Sequence, residues 1–162
     1  MRRLLLIAML LMVGCAKSPK YFNVENIELT QVEGEEYPTA ATFDVVTNSS
    51  IGAFTVKEGR IRLGVEGRRQ VVITLTRKVT FKRGWQIVRV PVKISVAKNS
   101  QTIRLKEALI SHDAGSIEAD GEIKVRRGLF TVREQIEPQS LDKLFTAEEL
   151  EKIWSTIDEN KK

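Results

Sequence analysis

The sequence contains few of the residues on which most catalytic and metal sites depend. One cysteine, Cys15, and one histidine, His112, occur in 162 residues. A lone cysteine excludes a disulfide within the chain, and zinc sites need several cysteine or histidine ligands at short spacing. Ser111 and Asp113 flank the histidine, but adjacent side chains splay apart and cannot form the relay of a hydrolase triad. We therefore expect no catalytic residue, no metal site and no cofactor, and we expect His112 at the surface or in a turn.

Several carboxylates late in the chain could in principle bind calcium, but they lack the loop spacing and the central glycine of a known calcium motif. A glycine-rich phosphate loop is also missing. We interpret these carboxylates as solvated charges at strand ends, and an enzyme that uses two converging carboxylates stays open as a third hypothesis. The residues are Asp113, Glu118, Asp120 and Glu122.

Long apolar runs are absent as well. The longest contains ten residues, 4–13, and at about 1.5 Å per residue it reaches only about half of the roughly 30 Å hydrocarbon core of a bilayer. Arg2 and Arg3 precede the run, and Gly14 and Cys15 follow it. A charged start, a short apolar segment and a small residue before the cleavage point are typical of an export signal.

The end of this segment, residues 12–15, resembles the lipobox of bacterial lipoproteins. The resemblance implies that residues 1–14 are removed and that Cys15 carries a thioether-linked diacylglycerol, usually with an acylated amino group. Two or more acyl chains hold a protein stably on a membrane. Ala16, where an aspartate would otherwise follow the cysteine, resembles the pattern of lipoproteins sent to the outer membrane. We therefore expect a lipid-anchored envelope protein facing the periplasm, with residues 15–20 as a short tether.

Most of the remaining sequence alternates between apolar and polar residues, which predicts β-strands. Seven or more short strands without helical crossovers favour an antiparallel sheet structure over a parallel one. We predict an all-β immunoglobulin or fibronectin type III-like β-sandwich over residues 21–137. The predicted strands lie near 21–29, 41–45, 54–56, 61–65, 71–76, 87–96, 103–110, 116–125 and 129–136.

Three local patterns refine this prediction. Ile27 and Leu29 are shifted by one residue from the alternation that precedes them, which indicates a β-bulge. Residues 66–68 are typical of a hairpin turn. Pro91 cannot donate to a strand ladder, so we expect it on an edge or at a bulge.

The C-terminal segment, residues 138–162, has a different period. Thr146 and Glu149 have the spacing of a capping box, and apolar residues then recur on one helical face. We predict one amphipathic helix whose apolar face packs on the sandwich; a partner groove and the membrane surface stay open as alternatives. The apolar residues of this face are Leu150, Ile153, Trp154 and Ile157.

Four short segments, residues 46–50, 59–67, 90–94 and 117–123, resemble the group 2 late embryogenesis abundant domain, also called the water stress and hypersensitive response domain. The resemblance covers about residues 22–137. It implies a seven-stranded sandwich, occurrence as bacterial lipoproteins, and an association with envelope or dehydration stress. It implies no catalytic residues.

Charge is unevenly distributed along the chain. Residues 57–98 contain twelve lysines and arginines and two glutamates, whereas residues 134–162 contain eight acidic and four basic residues. A cationic sheet surface would favour an envelope protein, an anionic lipid or an anionic polymer, while nucleic acid is a poor partner for an exported protein. The alternative is that these bases pair across strands with the acidic terminal segments. The candidate binding residues are Arg60, Arg62, Arg68, Arg69, Arg89 and Lys93.

The first hypothesis for function is a membrane-anchored, non-enzymatic binding or structural module of the cell envelope. The second is a carrier of a lipid or other amphiphile between the two sheets. An apolar cavity that opens at one end would favour the carrier, and a core filled by large side chains would count against it. The core residues that we expect are Phe43, Ile73, Val90 and Ile94.

Overall fold

The structure of the chain is a computed structural model that describes residues 22–35, 37–50, 52–148, 150–151 and 154–155. The predicted signal peptide 1–14, Cys15 and the rest of the tether lie outside the described residues, so their assignment stays a prediction. Part of the predicted C-terminal helix, including Ile153 and Ile157, lies outside them too.

The described residues form an antiparallel sheet with short helices. The elements in chain order are β1 Phe22–Glu33, β2 Ala40–Ser49, β3 Phe54–Val65, β4 Arg68–Leu75, β5 Val79–Phe81, β6 Gly84–Val96, α1 Ser100–Ile110, β7 Glu118–Arg127, β8 Phe130–Ser140 and α2 Leu141–Leu144.

The strands lie in the order β1-β2-β6-β4-β3-β7-β8, and β5 pairs with the first residues of β3. Every strand pair is antiparallel. Buried residues of β1 to β7 and of α1 form one apolar cluster. Since α1 is short, most of the buried face has to be covered by the sheet itself, as in a sandwich. The predicted all-β, sandwich-like fold class is therefore confirmed.

The alternation seen in the sequence determines which side chains enter this core. In β2, Ala41, Phe43 and Val45 are buried and the residues between them are partly exposed. Strand β3 follows the same pattern, with Ile61 and Leu63 buried between exposed arginines. Successive side chains of a strand point to opposite faces, so each strand contributes one apolar row to the core.

One predicted strand is wrong. Residues 103–110 lie in helix α1, which begins after Asn99, whose side chain accepts a hydrogen bond from the Thr102 N–H at 3.2 Å. This contact satisfies one of the amides that a helix start leaves unpaired. Leu105 and Leu109 are buried at helical spacing and pack toward β3 and β4.

Two of the three local predictions are confirmed. The register of β1 against β2 shifts between Val24 and Asn26, where the bulge was expected. Glu66 and Gly67 form the turn between β3 and β4, both with positive φ. That is the geometry of a type I′ hairpin turn, whose twist matches that of the flanking strands.

Pro91 lies neither on an edge strand nor at a bulge, so that prediction is wrong. Strand β6 runs between β2 and β4, but the pairing of β4 with β6 ends at Leu75 opposite Val92. The Pro91 carbonyl oxygen accepts a hydrogen bond from the Thr76 N–H at 3.1 Å. The N–H and C=O of a strand residue point to the same side. The N–H that proline lacks would therefore point toward Thr76, and the ladder of β4 with β6 ends at this position, which is how an interior strand accommodates the proline.

The C-terminal segment packs on the sheet domain. Strand β8 continues to Ser140, three residues beyond the predicted end of the sandwich at 137. Residues 147–148, 150–151 and 154–155 are helical. Leu150 and Trp154 pack against the core, and the Trp154 ring stacks on the His112 ring at 4.8 Å. His112 lies in the turn after α1, as expected.

The antiparallel pairing defines two ends of the sheet. The registers, which join β3 to β6 through β4, place the starts of β1, β3, β6 and β8 at the same end as the last residues of β2 and β7. We call this the basal end. The opposite, apical end carries the β3–β4 turn, α1 and the start of β7.

Candidate functional site

A group of charged side chains covers the outer face of β3, β4 and β7. Because Ile61 and Leu63 point into the core, Arg60 and Arg62 point outward. The β3–β7 register sets Arg62 opposite Asp120 and Arg60 opposite Glu122. Opposite residues of an antiparallel pair lie close enough for their side chains to interact.

Asp120 is the centre of this group and is buried, with 4% of its surface exposed. The Arg62 Nε donates to its Oδ1, and the Arg69 Nε donates to its Oδ2 at 2.6 Å. Arg69 also lies 3.4 Å from the Glu118 carboxylate through its Nη1. Two guanidinium groups thus replace the water that this carboxylate loses.

The interpretation of Asp120 as a solvated strand-end charge is therefore wrong. Glu118, by contrast, is half-buried and accepts a hydrogen bond from the Gly67 N–H at 3.0 Å. Arg69 reaches β7 because the β3–β4 register shifts between Leu63 and Gly64. The ion-pair group therefore ties the β3–β4 turn to the start of β7.

A second, exposed group of charges continues toward the basal end. Arg133 of β8 lies 3.5 Å from Glu122 and 3.9 Å from Glu58, measured between guanidinium nitrogen and carboxylate oxygen. Two clefts open beside these residues. One, of about 250 Å³, is lined by Arg60, Arg62, Gln135 and Pro138, among others. The other, of about 200 Å³, includes Arg60, Leu75 and Arg133.

The six predicted binding residues do not form one uniform surface. Arg62 and Arg69 are held by Asp120, and Arg89 lies 3.3 Å from the Asp44 carboxylate across the β2–β6 pair. Arg68 is exposed beside the apical turn. The internal pairing that the sequence left open thus occurs for three of the six, but the partners lie on β2 and β7 and not in the acidic terminal segments.

The other two predicted residues share one row. Arg60 and Lys93 both lie opposite Thr74, one on each side of β4. Strands are about 4.8 Å apart, so the two side chains start about 10 Å from each other. Both are exposed, and neither forms an ion pair with a described residue. They are the cations of the predicted set that are best placed to contact an external anion.

The described residues hold no group of three or more histidine, cysteine, aspartate or glutamate side chains arranged to bind a metal ion. No helix within the described ranges combines the length and the apolar composition that crossing a membrane requires.

Comparison with known proteins adds little to this geometry. The chain matches no protein-family model, and it matches no curated protein. Among solved structures, it is similar to the crystal structure of a protein from Archaeoglobus fulgidus, with 10% sequence identity and a TM-score of 0.39. The similarity covers 73% of this chain and 94% of that chain. A function for the protein therefore has to be argued from its own residues.

Proposed function

We propose that the protein is a membrane-anchored, non-enzymatic lipoprotein of the cell envelope that acts as a binding or structural module. The observation that carries this proposal is the position of Cys15, the sole cysteine, directly after an export-type segment and seven residues before β1 begins at Phe22. A lipid on this residue would hold the sheet domain within about 25 Å of the bilayer.

The packing of the core supports a module over a carrier. Phe43, Ile73, Val90 and Ile94 are all buried in one cluster. A carrier would need an apolar cavity between the sheets. The larger of the two clefts described above lies instead among charged side chains on the outer face, and the smaller one, although Leu75 and Ile123 line part of it, holds only about 200 Å³. The amphiphile carrier is therefore the weaker alternative.

Two sequence resemblances extend the proposal. Ala16 after the cysteine supports a location at the outer membrane, facing the periplasm. The likeness of residues 22–137 to the group 2 late embryogenesis abundant domain supports a role in envelope or dehydration stress.

Metabolic labelling with palmitate tests the lipid anchor. The wild-type chain should incorporate the label, sediment with envelopes and have an intact mass that lacks residues 1–14 and includes a diacylglycerol. Cys15→Ser should abolish labelling, because no other thiol is present. An unlabelled wild-type protein would contradict the proposal. So would a serine variant that sediments just as firmly.

A pull-down from envelope extract tests the binding role. The exposed row of Arg60 and Lys93 should contribute to capture of an acidic partner, since exposed cations steer association with anionic surfaces. The double variant Arg60→Glu and Lys93→Glu should lose that partner, and Arg68→Glu, which is equally exposed but apical, should keep it. Equal capture by both variants would remove this row from the proposal.

A further inference from the structure

The basal end carries large apolar side chains in contact with solvent. Leu129 is 99% exposed and Phe130 is 78% exposed at the tip of the β7–β8 hairpin. Trp85, near the start of β6, is 68% exposed. Hairpin tips ordinarily carry small and polar residues. Leu129 and Phe130 are adjacent in sequence and so form an exposed apolar patch of the kind that marks an interaction site.

The hairpin holds these side chains outward. Arg127 pairs with Phe130, so the loop between β7 and β8 contains two residues, Gly128 and Leu129. Gly128 has a φ of 61°. A two-residue loop with glycine in the first position is one of the turns that match the twist of the strands. Leu129 therefore lies at a defined tip and not in a loop that could fold back on the core.

The charge at this end has one sign. The described residues that form it, 22–24, 48–50, 52–54, 80–87 and 125–132, include four basic residues and no acidic one. Arg83 donates to the Ser50 carbonyl oxygen at 2.9 Å, which leaves its charge uncompensated by a carboxylate. The other three basic residues form no ion pair within the described part of the chain. They are Lys82, Arg126 and Arg127.

We propose that the basal end docks on an anionic phospholipid bilayer. Leu129, Phe130 and Trp85 enter the interfacial region, while the four basic side chains contact lipid phosphates. Tryptophan is enriched at this depth of a membrane because its ring is amphipathic. Apolar insertion together with basic side chains is the combination by which proteins bind anionic membrane surfaces.

This inference rests on the proposed lipid anchor, because the tether determines which end meets the membrane. Cys15 lies seven residues before the start of β1, and β1 starts at the basal end. Seven extended residues reach about 25 Å at most. The 12 residues of β3 span about 40 Å. The tether therefore brings the basal end, and not the apical end, to the bilayer.

The two tryptophans of the chain report on opposite ends. Trp85 is basal, and Trp154 lies at the apical end against His112. Trp154→Phe leaves Trp85 as the sole tryptophan, and Trp85→Phe leaves Trp154. The lipidated full chain is reconstituted in vesicles of phosphatidylglycerol and phosphatidylcholine whose acyl chains carry bromine, which quenches nearby indole. Trp85 emission should fall by about twofold or more and shift to the blue, while Trp154 emission should not change.

Substitutions then assign the contact. Two double variants should each reduce the quenching of Trp85. They are Leu129→Ser with Phe130→Ser, and Arg126→Gln with Arg127→Gln. For the arginine pair, docking should weaken by about 30-fold and should also fall with added salt. The matched control is Ile103→Ser with Ile110→Ser, two exposed apolar residues of α1 at the apical end. It should leave the quenching unchanged. Circular dichroism and thermal unfolding check that each variant folds.

The outcomes separate the two proposals. A wild-type chain whose mass includes the lipid but whose Trp85 is unquenched overturns docking and leaves the anchor intact. A chain without lipid overturns the proposed function itself. Unchanged quenching in both double variants overturns the assignment of the contact to these four side chains. In cell envelopes, aqueous iodide tests whether Trp85 is covered. If iodide does not reach Trp85 there, and brominated lipid in vesicles does not quench it, a protein covers the basal end and membrane docking is wrong.

Discussion

A carboxylate is stable inside a protein only when other groups replace the water that it loses. Asp120 meets this condition through two arginines from different strands, Arg62 on β3 and Arg69 on β4. Removing Asp120 leaves Arg69, whose side chain is 17% exposed, with Glu118 at 3.4 Å as its remaining partner, and a poorly solvated charge that loses a partner is destabilising. The pair between Arg89 and Asp44 carries a smaller penalty, because Arg89 is 66% exposed and Asp44 is only half-buried.

Asp120→Asn should therefore lower the free energy of unfolding by about 3 kcal/mol. Urea unfolding followed by circular dichroism measures the change. Asp44→Asn is the matched control and should cost less than about 1 kcal/mol. Equal losses for the two variants would show that the arginines around Asp120 are solvated well enough without it.

A second buried polar atom has the opposite effect on stability. The Thr47 Oγ1 is buried and has no hydrogen-bond partner among the described residues. Leaving a hydroxyl unpaired costs its desolvation. Thr47→Val keeps the shape of the side chain and should raise the free energy of unfolding by about 1 kcal/mol, as measured by urea unfolding. Thr74→Val, at an exposed position of β4, should change it by less than about 0.5 kcal/mol. A loss of stability in the first variant would argue against the unpaired hydroxyl.

At the scale of elements, β3 and β7 pack more closely at one point than a side chain allows. Gly121 of β7 pairs with Ile61, and a Cβ built on it would lie 2.3 Å from the Arg60 carbonyl oxygen and 2.7 Å from the Ile61 Cδ1. Asp120, the preceding residue, lies opposite Arg62 in the same register.

Gly121→Ala should force these strands apart and cost about 2 kcal/mol of unfolding free energy, as overpacking does. Thermal unfolding measures the loss. Gly52→Ala serves as the control, because a Cβ at Gly52 meets nothing within 4 Å. If Gly121→Ala unfolds at the wild-type temperature, β7 can shift without cost and the register is less tightly determined than the contact implies.

For the whole molecule, position in the sheet should determine local stability. Strands β2, β6, β4, β3 and β7 each have a neighbour on both sides, whereas β1 and β8 are edges. In native-state hydrogen exchange, the amides of β3 and β6 should exchange most slowly, and those of β1 and β8 should exchange fastest among the strands. The reason is that an edge strand opens by breaking hydrogen bonds to a single neighbour. Uniform protection across the sheet would instead indicate that the domain opens only as one unit.

The strands were predictable because the alternation of a half-buried strand is visible directly in the sequence. The bulge near Asn26 and the turn at Glu66 and Gly67 were also local and therefore visible. Helix α1 was not predictable in this way, since the apolar residues in 103–110 fit both the alternation of a strand and the spacing of a helix. The capping residue Asn99, whose side chain accepts from the Thr102 N–H, was the signal that could have decided it.

The ion-pair group could not be predicted from local pattern. Asp120 lies 58 residues from Arg62 and 51 from Arg69 along the chain. Charges so far apart in sequence come into contact only after the strands have paired. The order β4-β3-β7 is a property of the assembled sheet. For the same reason, the sequence could not predict which three of the six candidate cations form internal ion pairs.

By itself, the sequence determined the strand alternation and most of the turns, because these depend on neighbours a few residues away. It also contains the signal segment and Cys15 on which the proposed anchor depends. Tertiary structure alone decided that Asp120 is buried and that Trp85, Leu129 and Phe130 share the end at which β1 begins. Both depend on which strands pair and in which direction they run, and that choice is made by packing across the whole sheet.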